Sequence, residues 1–224
     1  MIRTDLVLAT RNRAKRRELV ELLGRLPGVR IRSLGEFPDV PSPDEVGRTF
    51  ESNAVLKAMH AAEATGALSL ADDSGLSVGH LGGAPGVFSA RYAGERATDA
   101  ANNAKLLRAL RGLPRSRRQA RFVCCVAIAV PYGLLTLVRG ECEGVVAEQL
   151  VGRYGFGYDP LFLLPRYGKT FGELGITVKH RISHRARAMA QARRFLLTYL
   201  RHRGFPAIPA IPARDSGSVL SPVL

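Results

Sequence analysis

Tryptophan is absent from the 224-residue chain, and lysine, methionine and cysteine are scarce, at five, three and three residues. The cysteines, Cys124, Cys125 and Cys142, are odd in number, two are adjacent, and all lie in apolar, strand-like runs. They lack the spacing of a disulfide framework or a metal site, which points to reduced, buried thiols in a cytoplasmic protein. Acidic residues are few as well, 19 against 33 basic ones, for a net charge of +14. No apolar run approaches the ~20 residues of a membrane span. The run at 6–10 is too short for a signal segment, so no membrane association is expected. Glycine and proline follow no short period and no heptad persists, which excludes collagen-like and coiled-coil chains. With 46% hydrophobic and 23% charged residues the composition is that of a globular chain, long enough for one domain with a substantial core. Arginine, 28 residues, carries nearly all the positive charge. That excess suggests an anionic partner: a nucleotide, a nucleic acid or a phosphate.

Periodicity places a buried strand at 6–10, a helix at 13–23 and a second strand at 29–34. Residues 36–46 hold three prolines and four acids and must form a loop. Thr49 can cap a helix reaching Thr65, with Phe50, Ala54, Ala58, Ala61 and Ala62 inward and Gly66 as its stop. A short strand at 68–71 is expected to run into a corner at Asp72-Asp73-Ser74-Gly75. A helix at 99–110 and a hairpin at 121–143, turning at Pro131-Tyr132-Gly133, come next. Ser183 should cap a final helix reaching about residue 201. Residues 1–203 read as one domain, and 204–224 as a Pro/Ser-containing, loosely held tail. Alternating elements followed by a hairpin indicate an α/β class with a mixed sheet.

Five segments carry possible chemistry. Thr10-Arg11-Asn12-Arg13-Ala14-Lys15 joins a strand to a helix, where amides and cations can cradle phosphate; plain capping by Asn12 is the simpler reading. Asp72 and Asp73 can hold Mg²⁺ or activate water, and Asp-Ser at a tight corner can equally serve the turn. Neighbours on a strand face opposite ways, so one of the two acids should reach a given site. The acidic loop offers Asp39, Asp44 and Glu45. Phe156-Gly157-Tyr158-Asp159 combines rings that can stack on a flat ligand with glycines that permit close approach, or it is a turn whose aromatics plug the core. Lys179, His184 and Arg185 complete the set. Cations in the first turn of a helix oppose its dipole, so they need an anionic or carbonyl-bearing ligand, or acids from elsewhere.

In order along the chain, these segments are joined by Phe50-Glu51-Ser52-Asn53-Ala54 with Lys57, by Leu81-Gly82-Gly83-Ala84-Pro85-Gly86, by Ser89-Ala90-Arg91-Tyr92 and by Ile182-Ser183-His184-Arg185. The series resembles the inosine triphosphate pyrophosphatase family, in its bacterial dITP/XTP-cleaving type, over about residues 6–200. The resemblance implies an elongated mixed α/β fold of two lobes around a central cleft. It also implies a homodimer and Mg²⁺-dependent hydrolysis of ITP, dITP and XTP to monophosphate and pyrophosphate, with no stable nucleic-acid partner. It makes Thr10 to Lys15 and Lys57 triphosphate contacts. Asp73 becomes the catalytic and metal-binding acid, with Asp44 and Glu45 as further metal ligands, and Ser74 an adjacent substrate contact. Phe156, Gly157, Tyr158 and Asp159 become the base loop, and Lys179, His184 and Arg185 the remaining contacts. Two positions depart from the family pattern: Arg11 stands where glycine is common, and His180 where a small polar residue is. A pyrimidine-directed Maf-like pyrophosphatase and a nucleic-acid binder using the Arg-rich last helix are the competing readings.

Overall fold

The computed structural model describes residues 4–41, 43 and 47–202. Asp44, Glu45 and the 204–224 tail lie outside the described residues. The chain begins β1 (Thr4–Leu8), α1 (Arg13–Leu23), β2 (Val29–Ser33), α2 (Phe50–Thr65) and β3 (Leu68–Val78). It continues with α3 (Asp99–Ala109), β4 (Gln119–Val130), β5 (Gly133–Val146), β6 (Phe162–Leu164), β7 (Lys169–Thr170), α4 (Phe171–Ile182) and α5 (His184–His202). The strands form one mixed sheet in the order β2-β1-β3-β4-β5-β6-β7. β1 pairs in parallel with β2 and β3, and every later pairing is antiparallel.

The local signals act as expected at several ends. Asn12 caps α1 by accepting from the amides of Ala14 and Lys15. Thr49 and Ser52 form a capping box on α2, whose apolar face is fully covered, and Gly66 ends it in the left-handed region. The hairpin turns at 131–132 as read. One expectation is corrected. The strand at 68–71 does not end at a corner: β3 continues through Asp72, Asp73, Ser74 and Gly75 to Val78, all paired with β4. Ten cross-strand partners on β4 outweigh the poor strand preference of Asp and Gly. A further helix, α4, occupies 171–182, where the sequence pattern suggested no element, and is interrupted at Gly175 by non-helical backbone.

Alternation along β3 divides the interior. On one face, Leu68 and Leu70 join β1, α1 and α5 in one core. Leu76 and Val78 join α3, Phe122, Phe162 and Phe171 in a second. Asp72 and Ser74 stand between the two on that same face, and the cleft opens there. On the opposite face Ala71 packs in a third core beneath α2, and Asp73 follows it. The start of α5 lies directly on β5. A Cβ on Gly140 would come within 2.3 Å of the His184 carbonyl oxygen and 2.5 Å of the Ala188 nitrogen, so only glycine lets the two approach. Farther along α5, Arg187 and Gln191 donate to the Glu141 and Arg139 carbonyls and cover part of the β5 edge.

Candidate active site

Asp72 is the electrostatic centre of the cleft. Its Oδ2 accepts from Ser74 Oγ at 3.1 Å and faces Lys15 Nζ at 3.4 Å and Arg185 Nε at 3.5 Å. Burial would raise this carboxyl, but Lys15, then Arg185 and Lys57, outweigh burial and hold it well below the ordinary carboxylate range. Arg185 also donates to Glu18 at 2.8 Å and to Ser74 Oγ at 2.8 Å. Glu18 lies 3.9 Å from Lys179, whose ammonium donates to Asp159 Oδ2 at 2.6 Å. Two buried cations, Lys179 and Arg185, are thus balanced by Glu18, Asp72 and Asp159, all nearly inaccessible to water. Burial pushes the Asp159 carboxyl up, with Lys179 pulling against it.

The 152–160 loop closes one side of the cleft. Asp159 folds back so that its Oδ2 accepts from the Phe156 amide at 2.9 Å. Gly155, at φ +80°, makes room for this: a Cβ there would lie 1.9 Å from that carboxylate oxygen. The Phe156 ring rests under both cations, its centroid 4.8 Å from Lys179 Nζ and 5.5 Å from Arg185 Cζ. His184 stacks on Phe122 at 4.6 Å between centroids, and its Nδ1 is buried without a hydrogen-bond partner. The recess, lined by Lys15, Ser74, Phe156, Asp159, His184 and Arg185 among others, has a volume of about 120 Å³. Sites for whole drug-sized ligands occupy several hundred Å³, so this recess matches one flat ring system, with the rest of a ligand in the open cleft.

Across the sheet, Asp73 faces α2. Lys57 Nζ donates to its Oδ1 at 2.7 Å, and the Asn53 amide lies 3.4 Å from its Oδ2. Asn53 also accepts from the Gly47 amide at 2.9 Å, which ties Gly47 to the same side chain that faces Asp73. Hard carboxylate oxygen is the donor type Mg²⁺ takes. Among the described residues no cluster of three metal-binding side chains exists, and Mg²⁺ commonly takes only one or two carboxylates, with water and phosphate oxygens completing its shell.

The Ham1 family profile matches residues 6–195. The chain belongs to the Ham1 family. A dITP/XTP pyrophosphatase of Desulforamulus reducens is 53% identical over 85% of this chain and 94% of its own. One of Geobacillus kaustophilus is 50% identical over 84% and 91%. The solved structure of a HAM1 protein from Coxiella burnetii superposes with a TM-score of 0.80 at 42% identity, covering 87% of this chain and 99% of that one.

Against this Ham1 frame the expected residues separate into groups. Lys15, Ser74, Phe156, Gly157, Tyr158, Asp159, Lys179, His184 and Arg185 line one recess, with Asn12 at its margin. Asp73 and Lys57 pair on the opposite sheet face. At the start of α1, Asn12 occupies the Ala14 and Lys15 amides and Thr10 accepts from the Asn12 amide, so capping uses the local hydrogen bonds there. Arg13 and Ala14 are exposed. Arg11 turns to the Val40 carbonyl, and His180 faces Glu21. The Tyr158 hydroxyl is committed to the Ser89 carbonyl, to which it donates at 2.9 Å. Arg185 finds acids from elsewhere rather than leaving its charge uncompensated at the α5 N-terminus. Arg187 and Arg193 are engaged with backbone carbonyls, which leaves the Arg-rich helix less free to act as a nucleic-acid surface. Sequence reasoning missed Glu18. The signal was there: Lys15 and Glu18 share a helical face with Leu22, an acid placed next to an apolar stripe.

His184 gives a pH prediction. Burial first, then Arg185 and Lys179, hold its imidazole neutral well below the ordinary 6.5. The unfolded chain therefore binds a proton below pH 6.5 that the folded chain refuses, and stability falls as pH falls. In urea titrations the expected loss is up to about 1.4 kcal/mol per pH unit below 6.5 from this group. His184→Gln should flatten that part of the profile; an unchanged slope would mean that His184 is protonated in the fold.

Proposed function

We propose that this chain hydrolyses dITP, ITP and XTP to the monophosphate and pyrophosphate, with the base in the recess and the triphosphate toward Asp73 and Lys57. The chain is a nucleoside-triphosphate pyrophosphatase acting on deaminated purines. The observation that carries the residue roles is the alternation at Asp72-Asp73. One strand supplies a carboxylate to hold the cationic recess and, one residue on, a carboxylate paired with a lysine outside it.

In this reading Asp73 accepts the proton of a water that attacks the α-phosphorus in line. The α–β anhydride bond breaks and pyrophosphate leaves with the electron pair. Lys57, released from Asp73, and Lys15 offset the phosphate charge. Mg²⁺, held by Asp73 with Asp44, Glu45 or Asp39, would add Lewis-acid stabilisation of that charge. The tether from Gly47 through Asn53 supports this pairing of strand and loop.

Base choice rests on Arg185, Lys179 and His184. A 6-oxo group accepts hydrogen bonds from these donors, whereas the 6-amino group of adenine opposes them and leaves buried polar groups unpaired. The unpartnered His184 Nδ1 supports such a role. Asp159 Oδ2 already serves Phe156 and Lys179, so its contribution is to shape the recess. A purine between Phe156 and the two cations requires the ring to lift by about one stacking layer, ~3.5 Å.

The test is pyrophosphate release from a panel of purine and pyrimidine triphosphates with and without Mg²⁺. dITP, ITP and XTP should be cleaved only with metal, and ATP, UTP and dTTP poorly. Arg185→Ala should raise the KM for dITP about tenfold or more and narrow the margin over ATP. Equal cleavage of pyrimidine triphosphates would favour a Maf-like specificity; unchanged discrimination in the variant would remove Arg185 from base reading. The proposal includes a homodimer and a single domain over residues 1–203. It also includes a cytoplasmic location, which three free, buried thiols support. No helix among the described residues is long and apolar enough to cross a membrane.

A further inference from the structure

Helix α3 contributes little to the cationic cluster, yet its first turns grip the walls of the recess. The Gly157 amide donates to Asp99 Oδ2 at 2.7 Å, and the Gly157 carbonyl accepts from Asn103 Nδ2 at 2.9 Å. Asp99 and Asn103 stand four apart and so share one helix face. Both backbone polar groups of a single loop residue are therefore bound by one helix. Asn102 reaches the facing wall. It accepts from the Ala93 amide at 2.8 Å and donates to the Ala90 carbonyl at 3.0 Å. Tyr158 closes the circuit through the Ser89 carbonyl.

Packing does not ask for these side chains. Leu106 and Leu110, towards the C-terminal end of α3, already anchor the helix in the core. Consecutive asparagines inside a helix are unfavourable, because their amides compete with the backbone. Here both are buried, at 3% and 4% exposure, and Asn103 Oδ1 has no hydrogen-bond partner. Such a cost is borne where the polar groups do something that leucine cannot.

We propose that α3 is a positioning element for base binding, with Asp99 and Asn103 as a two-point clamp on Gly157. The inference rests on the reading of residues 156–159 as the base loop. Gly157 is the fixed point next to Phe156, the ring that must lift to admit a purine. The clamp keeps the loop in register during that movement, so its loss lowers the fraction of molecules competent to bind the base. The phosphate groups, bound on other elements, do not depend on it. Asn103 acts through Gly157 alone, while Asp99, which also borders the recess, is assigned its role through the Gly157 amide that it binds.

The experiment compares wild type, Asp99→Ala, Asn103→Ala, Asp99→Asn and Phe156→Ala. The readouts are steady-state kinetics on dITP and inhibition by inorganic tripolyphosphate, which has no base. Each alanine variant of the clamp should raise the KM for dITP about tenfold, with kcat within about threefold. The inhibition constant for tripolyphosphate should stay unchanged. Asp99→Asn keeps an acceptor for the Gly157 amide and should restore the KM to near wild type. Asp99 is exposed and Thr98 caps the helix, so Asp99→Ala keeps its fold and decides the matter if Asn103→Ala does not fold. A Phe156→Ala protein with unchanged KM overturns the base-loop reading itself. A raised KM there, with neither clamp variant affected, overturns the clamp alone. A tripolyphosphate constant that rises in step with KM, or an Asp99→Asn protein as impaired as Asp99→Ala, also overturns it.

Discussion

Asp73→Asn is expected to lower kcat for dITP by about three orders of magnitude while the fold persists. Asparagine keeps the size and one acceptor oxygen of the side chain but cannot take the proton of the attacking water. Removing a positioned general base costs typically 10²–10⁴-fold, and the loss of a carboxylate from the metal set adds to that. Stability should change little by comparison. Asp73 pairs with Lys57 on the α2 side of the sheet, and a neutral amide of the same size can still accept from that ammonium. The measurement is pyrophosphate release in Mg²⁺ together with thermal unfolding. A variant with kcat within tenfold of wild type would remove Asp73 from its assigned role.

Glu18→Ala should have the largest effect on stability. Glu18 lies between two buried cations, 2.8 Å from Arg185 and 3.9 Å from Lys179. Its removal leaves Arg185 with Asp72 and Lys179 with Asp159, in a region nearly closed to water. Breaking a buried ion network by deleting one partner costs about 3–5 kcal/mol. For a chain of this size that corresponds to a fall in Tm of roughly 6–20 °C. The KM for dITP should rise as well, because both cations belong to the recess. Urea unfolding at pH 7 gives the stability change directly. A loss below about 1 kcal/mol would show that the cations are adequately held by Asp72 and Asp159 without Glu18.

Much of this arrangement is legible in the sequence, for particular reasons. The caps at Asn12, Thr49 and Ser183 are short-range chemistry, and each works as its sequence suggests. The inward face of α2 follows from helical period, and the opposition of Asp72 and Asp73 from strand period. What failed depended on partners distant in sequence. Nothing in Asp-Asp-Ser-Gly favours a strand; pairing with residues 123–126 makes it one. β6 and β7 have three and two residues, too few to show a period. The break at Gly175 splits the helical pattern of α4 and hides it. Glu18 could be suspected on its helix, but its partners lie 161 and 167 residues away. The grip of α3 on Gly157 spans 58 and 54 residues and left no local trace except two asparagines in an otherwise ordinary helix.

The two-sided use of β3 constrains how this protein can change length. Every side chain on a strand reverses face when the strand slips by one residue. A single insertion between Leu70 and Asp72 would present Asp73 to neither Lys57 nor Asn53 and would withdraw Asp72 from Lys15 and Arg185 at the same stroke. No compensating substitution at one position could repair both. Insertions and deletions should therefore be confined to the turns on either side, such as 66–67 and 79–84, whereas the spacing within the strand is held as firmly as the identity of either acid.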